Sequence, residues 1–281
     1  MIDKMKTLTI EEYLRILICT ECNSYLFVDN QDQVMCKNCE IKVGDIVSAD
    51  PLKIVFRGGH SKPISKQKTK KLSAWKKENY EFLKKLEING LVLDIGSGWS
   101  PFINLFPKII SVDFLNFPST NLVCDISKQI PLASSSIDSV IITNLLEHIP
   151  SPSNLLSEIN RIMKNEAKMY LSVPFLNAVH QPPHDYFRYT NFQLENMMKQ
   201  SGFEIILFEC GNDLDTLDKM ITTYFRPYLQ NQYLISILYR FQKSIIKLLE
   251  KKLSKNYRTE FTSGYMIKAV KVRHISSQPK L

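Results

Sequence analysis

The sequence predicts an α/β protein: a doubly wound, mostly parallel sheet of seven strands with a small cysteine-bearing unit ahead of it. Three observations carry that expectation. Residues 92–98 read Val-Leu-Asp-Ile-Gly-Ser-Gly, an apolar strand that ends in a glycine turn. Residues 108–113, Lys-Ile-Ile-Ser-Val-Asp, form a second strand tipped by an acid, and the pair opens a nucleotide-binding sheet. From Leu91 onward strand-like runs alternate with helical periodicity, the pattern of a parallel sheet covered on both faces.

The elements follow in chain order. An opening helix is expected at 10–18, ahead of Cys19-x-x-Cys22 and Cys36-x-x-Cys39, which thirteen residues separate. Each Cys-x-x-Cys can form a tight turn that points two thiolates at one ion, so the four predict a closed tetrahedral site for structural zinc. Between them, 25–28 and 34–35 supply two short strands linked by Asp29-Asn30-Gln31-Asp32. Residues 1–50 are therefore assigned to a zinc-ribbon domain. Residues 51–78 are assigned to a basic linker: Arg57, Lys62, Lys66, Lys68, Lys70, Lys71, Lys76 and Lys77 occur before Glu78, and Gly58, Gly59 and Pro63 break its early part. It feeds a helix at 73–86.

Residues 79–275 form the main domain. After the first two strands, further strands are expected at 121–124, 139–143, 168–173, 204–210 and 264–272. Helices are expected at 154–164 and 191–201, the latter closed by Gly202. A helical insertion at about 214–257 holds two segments, 216–228 and 232–253.

Bulk properties exclude some classes and select none. A chain of 281 residues holds one medium domain and an appendage, and 44% hydrophobic content suits a globular protein. No apolar run approaches the roughly eighteen residues of a spanning helix, and the N-terminus does not read as a secretory signal. Six cysteines, four at metal-ligand spacing, fit a reducing cytoplasm, with the membrane periphery as an extension. Cys124 and Cys210 read as small buried hydrophobes. A net charge of +8 is compatible with nucleic acid, an anionic membrane surface or a phosphorylated substrate.

Four motifs occur in a telling order. They are Asp94-Ile95-Gly96-Ser97-Gly98, Asp113 at a strand tip, Asp125-Ile126 after the third strand, and a fourth-strand segment, 137–149, that runs through Asn144-Leu145-Leu146-Glu147-His148. Together they resemble the class I S-adenosylmethionine-dependent methyltransferases, Rossmann-like in fold, and within them the type 11 family, over roughly residues 80–212. The resemblance implies S-adenosylmethionine as cofactor. It places Asp94, Gly96, Ser97 and Gly98 at the cofactor turn, Asp113 and Phe114 by the ribose, Asp125 and Ile126 by the adenine, and Asn144 and Leu145 along the fourth strand. Where many members carry a third glycine, this chain has Ser100. From the residues themselves, the two glycines allow close approach of backbone to ligand, and Ser100 with Pro101 predicts the start of a helix. Asp94 has a second reading, as a carboxylate that only orients the turn.

The acceptor side is expected in the loop 180–190, His-Gln-Pro-Pro-His-Asp-Tyr-Phe-Arg-Tyr-Thr, whose part 184–190 resembles a segment of type 11 enzymes, many of them tied to glycan or lipid intermediates. His184 and Asp185 are assigned as base or substrate contacts, Tyr186 and Arg188 as positioning groups, and His148 as a substrate contact. The competing reading is a self-satisfied loop in which Asp185 pairs with Arg188 and caps the helix at Asn191. The expected function is methyl transfer, to oxygen or carbon, on a small-molecule, glycan or lipid-linked acceptor. The segment 232–253, apolar on one face and basic beside it, has two readings: a lid helix packed on the sheet, or a basic amphipathic helix in peripheral membrane contact. One alternative is a ribosomal-RNA base methyltransferase that uses the ribbon and the lysine stretch 62–77; against it, Trp75 is the only large aromatic interleaved there. Another is a non-catalytic ribbon protein with a vestigial cofactor pocket.

Overall fold

The computed structural model describes residues 8–49, 51–64, 74–86, 88–211 and 262–272, with isolated helical residues between 236 and 245. The seven expected strands are present, and they form the middle and one flank of a larger sheet. These are β6 (Val92–Ile95), β7 (Ile109–Asp113), β9 (Leu122–Val123), β10 (Ile137–Thr143), β11 (Met163–Pro174), β12 (Phe203–Cys210) and β13 (Gly264–Lys271). Their order is β9-β7-β6-β10-β11-β13-β12. Pairing is parallel from β9 to β11, whereas β13 runs antiparallel to both β11 and β12.

Alternate residues of the central strands belong to different apolar clusters, as a sheet covered on both faces requires. Leu93, Ile95, Val140 and Ile142 join Leu155, Leu156 and Ile159 of a helix, Pro152–Ile162, on one side. Val92 and Ile141 join Phe82, Leu83 and Tyr170 on the other. Phe82 and Leu83 come from the helix Ala74–Lys84, which follows an N-terminal helix, Ile10–Leu14. The helix Asn191–Gln200 is capped by the Thr190 hydroxyl, which accepts from the Gln193 N–H, and ends at Gly202 with φ +78°.

Four strands of the same sheet precede the core. The strands β1 (Leu26–Val28), β2 (Gln33–Cys36) and β3 (Lys42–Ala49) form the expected ribbon, with Asp29 Oδ1 accepting from the N–H groups of Gln31 and Gln33 in the first turn. The fourth, β4 (Leu52–Phe56), lies inside the stretch assigned to a linker. It pairs antiparallel with β3 and parallel with β9, with Ile54 opposite Leu122. One eleven-stranded sheet therefore runs from ribbon to core. A further pair, β5 (His60–Pro63) with β8 (Leu115–Asn116), also falls in the presumed linker. The physical reason is plain: Leu-Lys-Ile-Val-Phe is rich in β-branched and aromatic residues, and the free edge of β9 offers unpaired backbone. The same apolar cluster holds Leu17, Leu26, Val34 and Val43 of the N-terminal region and Leu93 and Val140 of the core.

Other departures are local. The helix expected at 154–164 stops at Ile162, because Met163 is already extended and opens β11. The opening helix spans only Ile10–Leu14, under a capping box between Thr9 and Glu12. Among the described residues no helix is long and apolar enough to cross a membrane. The lysine-rich positions 66–71 and the segment 216–228 lie outside the described residues. Of the segment 232–253, the described positions are helical, and Ile237, Phe241 and Ile245 are exposed.

Candidate functional site

The glycine turn sits at the carboxyl end of β6, where ligands of open α/β sheets bind. Gly96 has φ +68° and Gly98 φ +51°. A Cβ on Gly96 would lie 2.7 Å from the Leu145 side chain, whereas one on Gly98 would project into open space. The turn is clamped from below. Gly98 N–H donates to Asp113 Oδ2 at 2.8 Å, and Leu115 N–H donates to Asp113 Oδ1 at 2.9 Å. Burial raises the Asp113 carboxyl, and the backbone N–H groups of Leu115, Gly98 and Phe114 oppose the rise.

Ser100 stands at φ +38°, a left-handed backbone that glycine adopts without strain. Its hydroxyl donates to Asp94 Oδ2 at 2.9 Å and accepts from Ser111 Oγ at 3.3 Å. It therefore does not cap a helix. The helix expected from Ser100 and Pro101 is a single 3-10 turn, Ile103–Leu105. Only thirteen residues, 96–108, join the two strands, and Pro101 and Pro107 bound what little could coil.

Asp94 is almost fully buried, and its Oδ1 makes no hydrogen bond; neither does the buried Ser97 hydroxyl. Burial pushes the Asp94 carboxyl up to about 7, with the charge of Asp113 adding to the rise and the Ser100 hydroxyl opposing it. Phe114 is exposed, and its carbonyl accepts from His60 N–H at 2.9 Å, which brings the N-terminal chain alongside. Asp125 accepts from Ser127 and pairs with Lys128 at 3.4 Å, while Ile126 is buried. A cavity of about 380 Å³ opens between the ribbon and Asp125, walled by Ile41, Val43, Arg57 and Lys128. At the end of β10, Leu145 packs on the turn and Asn144, at φ +50°, accepts from the Trp75 indole N–H at 2.6 Å. Trp75 is thus an internal anchor, half-buried against the sheet.

A second group of polar side chains gathers around the turn Leu146–His148 and the loop after β11. Asp185 is tied to Arg188 by two bonds, 2.6 Å to Nη1 and 2.8 Å to Nη2, with its side chain 1% exposed. That guanidinium holds the Asp185 carboxyl well below the usual carboxylate range. The competing reading of this loop is realised in the ion pair, but the cap of the next helix is Thr190. Arg188 also donates to the carbonyls of Asn177, Ala178 and Phe187, so it holds the loop together. His184 is exposed and its Nδ1 lies 3.0 Å from the Tyr186 hydroxyl. His148 Nδ1 meets the His184 carbonyl.

Two residues that sequence reasoning did not select join this group. Glu147 has no exposed surface, both of its carboxylate oxygens lack hydrogen bonds, and burial pushes its carboxyl up to about 8. His180 Nε2 approaches Glu147 Oε1 at 4.0 Å. Both were visible as letters, in Leu-Glu-His and at the head of the loop, but only folding brings positions 147 and 180 together.

At the ribbon, the four sulfurs of Cys19, Cys22, Cys36 and Cys39 lie within 4.8 Å of one another, and none is in a disulfide. Cys22 and Cys36 are 3.5 Å apart, and the N–H groups of Asn38 and Cys39 point at Cys36 Sγ at 3.4 and 3.3 Å. Burial raises the Cys124 thiol, consistent with its place in the core.

Residues 93–171, the stretch that contains the glycine turn, Asp113, Asp125 and Glu147, match the Methyltransf_11 family, described as a methyltransferase domain. The core is an S-adenosylmethionine-dependent methyltransferase domain. Its sheet is similar to several solved structures. One is a SAM-dependent methyltransferase from Archaeoglobus fulgidus, at 19% identity and a TM-score of 0.46 over 70% of this chain and 92% of that one. Another is phosphoethanolamine N-methyltransferase 2 of Haemonchus contortus with S-adenosyl-L-methionine, at 16% identity and 0.44 over 70% and 52%. A third is the 1,6-didemethyltoxoflavin-N1-methyltransferase of Burkholderia thailandensis, at 13% identity and 0.41 over 65% and 71%. No curated protein matches the sequence.

Proposed function

We propose that this methyltransferase domain modifies a hydroxyl-bearing or carbon acceptor on a small molecule, glycan or lipid-linked intermediate, held by the loop 180–188 against Glu147 and His148. The observation that carries the reading is the convergence of Glu147, His148, His180, His184 and Tyr186 on one side of the carboxyl edge of the sheet, next to Asn144 and Leu145.

The residues at the glycine turn fit S-adenosylmethionine. Gly98 leaves open the space a side chain would fill, and the unpaired Asp94 Oδ1 and Ser97 hydroxyl offer an acceptor and a donor. Asp113 would take the ribose hydroxyls, with Phe114 beside them, and Asp125 and Ile126 would take the adenine. The cofactor supplies an activated methyl group, so the protein mainly aligns donor and acceptor. With Nδ1–H donating to the Tyr186 oxygen, His184 presents Nε2 as a base for an acceptor hydroxyl. Asp185 and Arg188 position the loop, since their charges neutralise each other.

Exposed Ile237, Phe241 and Ile245, at helical spacing, support an acceptor presented at a lipid surface. The cysteine cluster supports a structural zinc ion, for which four thiolates are the fitting donor set. The test uses methyl-labelled S-adenosylmethionine, purified protein and a cell extract split into RNA, protein, small-molecule and lipid or glycan fractions. Protein-dependent label in the small-molecule, lipid or glycan fraction is expected, and its loss in His184→Ala. Label confined to RNA overturns the acceptor assignment.

A further inference from the structure

We propose that Glu147, His148 and His180 form a second metal site, one that takes a divalent first-row transition ion such as zinc and leaves a coordination position open toward the acceptor. One ligand atom from each of the three lies within 4.8 Å of the others. Glu147 Oε1 stands 3.7 Å from His148 Nε2 and 4.0 Å from His180 Nε2, and the two rings meet edge to face at 4.9 Å. Bonds of about 2.1 Å at tetrahedral angles place ligand atoms roughly 3.4 Å apart, so small inward movements of the side chains would close the site.

Three observations point to an ion rather than to chance proximity. Glu147 is fully buried and neither of its oxygens is hydrogen-bonded, an arrangement that is destabilising unless a cation or proton answers it. His148 Nε2 is likewise buried and unpaired, and the ring's other nitrogen is held by the His184 carbonyl. That carbonyl requires a hydrogen on Nδ1, which leaves the lone pair on Nε2, facing Glu147.

His180 shows the same arrangement. Its Nδ1 lies 3.3 Å from both Asp185 Oδ2 and the Ala178 carbonyl. Arg188 Nη2 is also 3.3 Å away, but both of its hydrogens already meet Asp185 and Ala178. Nδ1 therefore donates, and the lone pair of Nε2 is directed at Glu147. Metal-binding histidines are oriented in this way by carbonyl or carboxylate partners. The pairing of Asp185 with the partly exposed Arg188 thereby acquires a purpose: it fixes the tautomer of His180. Two imidazoles and a carboxylate suit a borderline ion better than magnesium or calcium, and three protein ligands leave room for an oxygen of the acceptor.

The site deepens the acceptor reading, yet it can be tested without cofactor or acceptor, so its failure would leave that reading in place. Zinc is titrated calorimetrically into the full chain as purified, after its zinc content has been counted to show that the ribbon is filled. The site predicts uptake of one further equivalent. Glu147→Gln should abolish it, and His180→Gln, on a partly exposed side chain, should weaken it by at least tenfold without disturbing the core. Asp185→Asn should weaken it about 10–100-fold through His180 alone. No further uptake by the wild-type chain, or equal uptake by folded His180→Gln, overturns the proposal.

Discussion

The indole N–H of Trp75 donates to the side-chain oxygen of Asn144 at 2.6 Å, which ties the helix Ala74–Lys84 to the end of the fourth core strand. The bond joins a residue from the basic N-terminal stretch to one beside the glycine turn. Trp75→Phe keeps most of the packing and removes the donor. It should cost about 1 kcal/mol of stability in urea unfolding and weaken S-adenosylmethionine several-fold, because Asn144 loses its anchor. Unchanged stability would show that the bond contributes nothing.

The two glycines should separate folding from binding. Gly96→Ala drives a Cβ against Leu145 at 2.7 Å and also strains a positive φ, so it should lower both melting temperature and cofactor affinity. Gly98→Ala meets nothing within 4 Å and should cost roughly 1 kcal/mol for its backbone alone, yet depress affinity strongly because the Cβ enters the ligand's space. Equal affinities of Gly98→Ala and wild type, measured by calorimetry, would remove the cofactor from that space.

Asp94 supplies a pH dependence with a definite sign. Its carboxyl is raised to about 7 in the folded chain, so the folded state holds the proton more tightly than the unfolded chain does. This group therefore favours folding fully below about pH 4, and the contribution fades as pH rises through 7. Wild-type stability in urea should fall between pH 5 and 8 by more than that of Asp94→Asn. Parallel profiles would mean that Asp94 is not the group that titrates.

Because ribbon and core share one sheet through Ile54 and Leu122, the cysteine cluster bears on the whole domain. Cys36→Ser should release metal and lower the melting temperature of the main transition, not only that of a separate small one. A core transition at the wild-type temperature, observed calorimetrically, would mean that the ribbon is energetically independent.

The seven core strands were legible because buried parallel strands are short apolar runs with acids and glycines at their tips, as in Val92–Ile95 and Ile109–Asp113. The cysteine spacing was legible for the same local reason. The joining of β4 to β9 was hidden by the lysines and glycines around 52–56, although the β-branched run itself was a signal. The shortened turn after Ser100 was hidden because capping residues were present but too little chain followed. The convergence of Glu147 with His180 is a long-range contact between two loops, and no periodicity announces it. Asp185 illustrates the limit of reading by type: an acid in a polar loop looks reactive until its Arg188 partner is seen.

The measurement that bears most directly on the account is a calorimetric titration of S-adenosylmethionine into the full chain and into Asp113→Ala. Asp113 holds Gly98 and Leu115 in the turn and is assigned to the ribose, so its loss removes charge-assisted hydrogen bonds worth about 1.5–3 kcal/mol. The account predicts one site per wild-type chain and an affinity at least tenfold weaker in the folded variant. Binding that is absent from the wild type, or undiminished in Asp113→Ala, would contradict it.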